Sequence, residues 1–238
     1  MPRILPQRKR KTQRSRAVIE LHEIQQIRRA VADPLEGALF EWIYTNGTRA
    51  SEPGLARMAD VDLKRMRIQL VHLKGGLDPD WIPMPKICAQ AIEKWLPVRD
   101  MLELRVEQQD FLFPAKNPGR CYPCKGTAKI IKKNRKEKTS SMVPCYHCDA
   151  CGIRWGLSRH EVRYIFADLF ARAGIEKERR FPHILRASAV THMLDQGYEA
   201  GNVQERVGHA SSKTTFGYMK ATKAAHATID KIFNPTEE

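Results

Sequence analysis

Five of the six cysteines lie between residues 121 and 151, and this crowding constrains the chain more than any other feature. The basic N-terminus leads into no hydrophobic signal core, so export, and with it a disulfide framework, is not expected. Metal ligation is the natural alternative. Cys121-Tyr-Pro-Cys124 is one pair at two-residue spacing, and the second is either Cys145-Tyr-His-Cys148 or Cys148-Asp-Ala-Cys151. Two such turns let four thiolates converge tetrahedrally on zinc, with a hairpin of about twenty residues between them. Gly152 directly follows Cys151, as Gly126 closely follows Cys124, and glycine lets backbone amides turn toward sulfur. The expected ligands are therefore Cys121, Cys124, Cys148 and Cys151, with Cys145 spare and His147 a weaker substitute. A site made of cysteines alone reads as structural, because a catalytic zinc keeps an open position. Cys88 falls on one helical face with Ala91, Ile92, Trp95 and Leu96, so it reads as a core residue.

Charge adds a second constraint. Lys+Arg total 41 against 27 Asp+Glu, a formal charge of +14, and the excess sits in two places. Residues 1–16 carry Arg3, Arg8, Lys9, Arg10, Lys11, Arg14 and Arg16 and no acid. Residues 116–138 carry Lys116, Arg120, Lys125, Lys129, Lys132, Lys133, Arg135, Lys136 and Lys138 against Glu137 alone. The remainder is close to neutral, so the chain reads as an ordinary domain with two polycationic appendages and a polyanionic partner, nucleic acid. Arg8, Lys9, Arg10, Lys11, Lys132, Lys133, Arg135 and Lys136 are the candidate DNA contacts. At 238 residues and 42% hydrophobic, one core with an insertion is expected. No apolar run approaches a membrane span, which points to a cytoplasmic protein with no membrane partner.

Periodicity predicts helices over 18–31 and 34–44, a short helix over 51–58, and a β-hairpin pairing 67–73 with 81–84 around Lys74-Gly75-Gly76. A helix over 86–104 and an extended Leu112-Phe113-Pro114 follow. Beyond the cysteines, Val162, Ile165, Phe166, Leu169 and Phe170 recur at helical spacing up to Gly174, and 183–194, 203–207, 214–218 and 224–233 read as further helices. The fold class is α+β, mainly helical with one small antiparallel sheet.

His183-Ile-Leu-Arg186 places an imidazole and a guanidinium on one helical face. Thr45-Asn-Gly-Thr-Arg49-Ala-Ser-Glu52, Lys74 in a hairpin turn, Gly208-His209, and Tyr218 nine residues after His209 complete an ordered set. In that order the set resembles the tyrosine recombinase family, the phage-integrase type of site-specific DNA recombinase. The resemblance covers roughly 17–114 and 157–233. It departs from the family at Thr48, where a glycine is usual before the arginine, and at Ala187, where histidine often stands.

The resemblance implies a recombinase catalytic-domain fold over 17–238, interrupted by a zinc-binding insertion at 115–152 and preceded by a basic arm at 1–16. It implies that Tyr218 attacks the scissile phosphorus to form a 3'-phosphotyrosyl intermediate, with Arg49 and Arg186 on the non-bridging oxygens. His183 would accept the tyrosine proton, Lys74 would protonate the leaving 5'-oxygen, and His209 would hydrogen-bond the phosphate. Glu52 either orients a catalytic partner or caps the helix after Ser51. No catalytic metal is implied; zinc would be structural. The implied partners are double-stranded DNA and further copies of the chain, as a tetramer on DNA, in a prokaryotic, phage or mobile-element setting. Only the basic arm precedes the first catalytic-domain helix, so the arm and the insertion are expected to replace the helical clamp that most members carry ahead of it. A non-catalytic zinc-ribbon DNA-binding protein and a type IB topoisomerase are the competing readings of the same residues.

Overall fold

A computed structural model describes residues 18–71, 81–134, 139–145 and 148–208, with the backbone alone at 132–134. Helix α2 (Pro34–Asn46) lies at the centre. Asp33 starts it by accepting from the Glu36 amide, Pro34 sits where its missing N–H costs nothing, and Gly47 ends it at φ 60°. Ala38, Leu39, Phe40, Trp42 and Ile43 are all buried, and so are Glu36, Glu41 and Asn46, so α2 is enclosed on nearly every side. α3 (Lys86–Asp100), α4 (Arg159–Arg172) and α5 (His183–Asp195) enclose it. α1 (Leu21–Ala30) covers α4 with Ile24 and Ile27. Each fully buried aliphatic of this core contributes about 1.5–3 kcal/mol.

α6 (Ala200–Val207) packs on α5 in a smaller cluster of Ala187, Val190, Leu194, Val203 and Val207. Arg206 fastens it to the end of α2 by donating to the Thr45 carbonyl and to Asn46 Oδ1. β1 (Val61–Asp62), β2 (Arg67–Gln69) and β3 (Trp81–Pro83) form an antiparallel sheet with Ile68 opposite Ile82. The expected hairpin is present and gains β1 as a third strand; its turn at Lys74 lies outside the described residues. The short helix expected over 51–58 is instead two 3-10 turns, Pro53–Leu55 and Met58–Asp60, because Ala56 between them is extended. α3 ends short of residue 104, where buried Arg99 donates to the Phe111 carbonyl.

β4 (Pro114–Arg120) pairs antiparallel with β7 (Ile153–Gly156), and between them a hairpin forms from β5 (Lys129–Asn134) and β6 (Thr139–Pro144). The root of this segment is pressed against the helical body. A Cβ on Gly54 would lie 1.9 Å from the Leu157 carbonyl oxygen, and one on Gly156 would lie 2.0 Å from that of Gly54. Only two glycines allow the backbones to meet so closely. The helices expected over 214–218 and 224–233 lie outside the described residues. Among the described residues no helix is long and apolar enough to cross a membrane.

Candidate active site and metal centre

The loop leaving α2 is where two arginines meet. Gly47 takes the left-handed conformation, and a Cβ there would strike Val207 of α6 at 2.5 Å. The turn sends Arg49 outward while Arg186, on α5 and only 2% exposed, reaches the same turn from beneath and donates from Nη1 to the Gly47 carbonyl at 2.5 Å. Arg49 is held from its own side by Glu52, whose carboxylate accepts from the Arg49 amide at 2.7 Å and from Nη1 at 2.6 Å. Glu52 is itself buried and makes no side-chain cap to the turn that follows. Arg49 Nη2 donates to the Gly208 carbonyl at 3.3 Å, which brings the residue preceding His209 to the arginine. Buried carboxylates and carbonyls thus consume part of each guanidinium's fork of five donors and fix its plane.

Arg49 opens into a cleft of about 440 Å³ lined also by Ala50, Ser51, Arg159, Arg163, Phe181, Pro182 and His183. His183 is exposed at the first position of α5. Arg159 and Arg163 stand in the first turns of α4, which Ser158 starts by a reciprocal cap with Glu161. The cleft is therefore a cationic recess with a helix N-terminus on one wall, a combination suited to an anion.

The second constellation is sulfur. Cys121, Cys124, Cys145 and Cys148 are buried, with all four Sγ atoms within 4.8 Å of one another. The Cys121–Cys145 and Cys124–Cys148 separations are both 3.8 Å. A tetrahedral site with metal–sulfur bonds of about 2.3 Å has edges of about 3.8 Å, so the set fits a thiophilic dication. Burial pushes Cys148 up to about 11. It pushes Cys124 up as well, but hydrogen bonds from Cys121 and from the Gly126 and Ala128 amides outweigh it and hold Cys124 at about 7. Four thiols this close share little negative charge among themselves, and a bound dication is what allows all four to ionise.

A family model described as the phage integrase family matches residues 17–225. The chain belongs to that family. Tyrosine recombinase XerA of Thermococcus onnurineus is 28% identical over 184 residues, covering 77% of this chain and 50% of that protein. Tyrosine recombinase XerD of Listeria monocytogenes is 29% identical over 199 residues, covering 83% of this chain and 54% of that protein. The chain thus spans about half the length of these relatives. A crystal structure of XerA recombinase superposes with a TM-score of 0.64 at 20% identity, over 93% of this chain and 65% of that one. The Tn1549 transposon integrase in complex with transposon right end DNA gives 0.62 at 13%, over 93% and 67%. At these identities the structures show the fold, a tyrosine recombinase catalytic-domain fold.

In this phage integrase family member, of the six residues singled out for catalysis, the structure places Arg49 and His183 on one cleft and Arg186 buried against the Gly47 turn that precedes Arg49. Lys74, His209 and Tyr218 lie outside the described residues. So do Arg8, Lys9, Arg10, Lys11, Arg135 and Lys136, while Lys132 and Lys133 are placed by backbone on β5. Ala187, where the family often has histidine, packs in the apolar cluster under α6. Arg159 and Arg163 were missed: their only signal is a capping Ser158 ahead of two arginines one helical turn apart, which any surface helix could carry.

The fourth sulfur is a correction. Cys145 completes the cluster, and Cys151, expected as a ligand, is exposed and bonded to the Ile153 backbone instead. The two cysteine turns repeat each other. Gly126 donates to the Cys121 carbonyl as Ala150 does to that of Cys145, and Thr127 donates to the Cys124 carbonyl as Cys151 does to that of Cys148. Cys151 is thus the counterpart of Thr127, not of a ligand. The sequence hid this because the left-handed pair after each second cysteine is Lys125-Gly126 in one turn and Asp149-Ala150 in the other. Gly152 does aim its amide at a sulfur, but that sulfur belongs to Cys148.

Proposed function

We propose that this chain is the catalytic part of a site-specific DNA recombinase that cuts and rejoins DNA through a 3'-phosphotyrosyl intermediate. The convergence of Arg49 and Arg186 on the Gly47 turn, with His183 lining an arginine-rich cleft beside Arg49, carries the reading. A phosphodiester is a stable monoanion, so cleavage needs charge stabilisation of a pentacoordinate phosphorus and a leaving group protonated in time. The two guanidiniums supply planar donors that never lose their charge. Glu52 fixes Arg49 before substrate arrives, so little reorganisation is left for the reaction.

Tyr218 is the proposed nucleophile. A phenol with pKa near 10 is only about one part in a thousand ionised at pH 7, so His183 takes its proton as the O–P bond forms. Lys74 delivers a proton to the departing 5'-oxygen, and His209 hydrogen-bonds a non-bridging oxygen. The bond energy retained in the phosphotyrosine allows a 5'-hydroxyl from a second duplex to reverse the step. Arg159 and Arg163 bind phosphates flanking the scissile one. The active assembly is a tetramer on two duplexes, and integration, excision or inversion is its outcome. The basic arm over 1–16 adds phosphate contacts, and zinc held by Cys121, Cys124, Cys145 and Cys148 is structural, giving the segment over 115–152 the folding energy its size denies it.

The test is incubation of the full chain with nicked duplex substrates. Wild type should become covalently attached to the 3' side, and Tyr218→Phe should not. Binding without attachment by wild type would leave a passive DNA binder; relaxation of supercoils with no recombinant product would indicate a topoisomerase.

A further inference from the structure

The β5–β6 hairpin is the one pair of strands whose partners, among the described elements, are essentially each other. Six cross-strand pairs run from Lys129↔Pro144 to Asn134↔Thr139. An isolated two-stranded hairpin is at best marginally stable, and this one is secured at its base. Ile130 packs against the four sulfurs, and the Cys145 amide donates to the Ala128 carbonyl just below the first pair. Alternation along the strand then places Ile131 on the face away from the cluster. Ile131 is 65% exposed and Met142, directly opposite, is 69% exposed. Thr139, Ser140 and Ser141 are exposed as well.

Charge narrows the partner. β5 carries Lys129, Lys132 and Lys133, β6 carries no charged residue, and neither strand has an acid. At the register positions beside the apolar pair, Lys132 stands opposite Ser141 and Lys133 opposite Ser140. A ribbon of cations, hydroxyls and one apolar pair, with no carboxylate, suits a polyanion that also presents apolar spots. Another copy of this chain, at +14, would bring like charge.

Placement points the same way. β7 runs through Leu157 and Ser158 directly into α4, whose Arg159 and Arg163 line the cleft, and β7 is pressed against Gly54, close in sequence to Arg49. The β4–β7 ribbon that carries the cysteine turns and the hairpin at its far end is therefore rooted beside the cleft. The hairpin strands are about 20 Å long, and a two-stranded ribbon with side chains is about 10 Å across. The major groove of B-DNA, about 12 Å wide, admits such a ribbon without distortion, whereas the minor groove, about 6 Å wide, has to be widened to do so.

We propose that the β5–β6 hairpin is a DNA-reading ribbon that enters the major groove beside the scissile phosphate, its lysines on the flanking phosphates and Ile131 and Met142 against thymine methyl groups. This deepens the recombinase reading and rests on it for the position of the scissile phosphate.

The full-length, zinc-loaded protein is titrated with a mixed-sequence duplex over a range of salt, and with the same duplex carrying uracil for thymine. Lys132→Gln with Lys133→Gln should lower the slope of log affinity against log salt by about 2, at about 0.9 per phosphate contact. Ile131→Ser with Met142→Ser should leave that slope alone and abolish a several-fold preference for thymine over uracil. Zinc content is measured on both variants to confirm that the module is intact. Unchanged slope and unchanged thymine preference overturn the ribbon, as does a loss of self-association at wild-type DNA affinity, which would make the hairpin a contact between copies. Covalent attachment to nicked DNA is scored on the same preparations. Its absence from wild type with the slope change present would sink the recombinase reading alone; its presence with slope and thymine preference both unchanged would sink the ribbon alone.

Discussion

In the helical body, Arg186 lies beneath a turn whose shape is set by Gly47, and its orientation is inherited from α2 and α5, helices packed through a shared apolar core. In the cysteine module, four sulfurs and the flank of Ile130 form the interior among the described residues. The body can position charged groups because burial of many apolar side chains outweighs the cost of enclosing a guanidinium and its acceptors. The module has no such reserve, and on the proposed reading its order comes from a metal drawing four thiolates together. On that reading one region is stable before it meets a ligand, and the other only once it has met one.

The largest test of this contrast is removal of the metal. Zinc binding supplies on the order of 10 kcal/mol to folding of a small site, so a strong chelator should collapse amide protection in residues 121–148 while leaving the protection of α2 and α5 intact. Cys145→Ser should lose tightly held zinc and Cys151→Ser should retain it, as measured by zinc stoichiometry after dialysis. The reverse pattern would restore Cys151 as the ligand.

Within the body, the comparison sharpens at Glu52. Glu52→Gln keeps the shape and loses the charge that faces Arg49, so duplex affinity should hold while covalent attachment slows by about a hundredfold, close to 2.7 kcal/mol of transition-state stabilisation. Equal losses of binding and cleavage would mean that Glu52 supports the loop as a whole rather than the orientation of one side chain.

The two regions also differed in how far the sequence exposed them. The helices of the body followed from periodicity, since an apolar stripe such as Val162, Phe166, Leu169 and Phe170 has few alternatives to a buried helical face. Arg49, His183 and Arg186 were recognisable from the order of motifs, but that Arg186 is buried and Glu52 grips Arg49 depends on contacts between residues far apart or on a turn that the sequence leaves ambiguous. In the module, spacing pointed to a cluster of four cysteines and misassigned its fourth sulfur, because Asp149 and Ala150 adopt left-handed conformations that a reader looks for at glycine. Arg159 and Arg163 gave no warning beyond an ordinary capped helix start, because what makes them part of the cleft is the direction in which β7 delivers α4.

Gly47→Ala tests the joint between α2, α5 and α6. The substitution places a Cβ against Val207 at 2.5 Å and in a backbone region that alanine adopts reluctantly. A loss of about 1–3 kcal/mol is expected from chemical denaturation, with activity falling further than stability because the Gly47 carbonyl holds Arg186. Pairing it with Val207→Ala should recover the part due to collision and leave the part due to backbone strain.

The smallest effect concerns His192, whose Nδ1 lies 2.8 Å from the Tyr44 hydroxyl between α5 and α2. Burial lowers its pKa from the usual 6.5 despite the opposing influence of Asp195 and Glu20. The folded state therefore holds the ring neutral where the unfolded chain would protonate it. Unfolding takes up protons in the window between the lowered folded value and about 6.5, so stability from this residue is complete above that window and declines as pH falls through it. His192→Gln removes the titration, and the stability difference between about pH 7.5 and about pH 5.5 should be smaller in the variant than in wild type. An equal difference in both would assign the acid sensitivity to carboxylates such as Glu23, whose pKa is lowered beside Arg179 although burial opposes the shift.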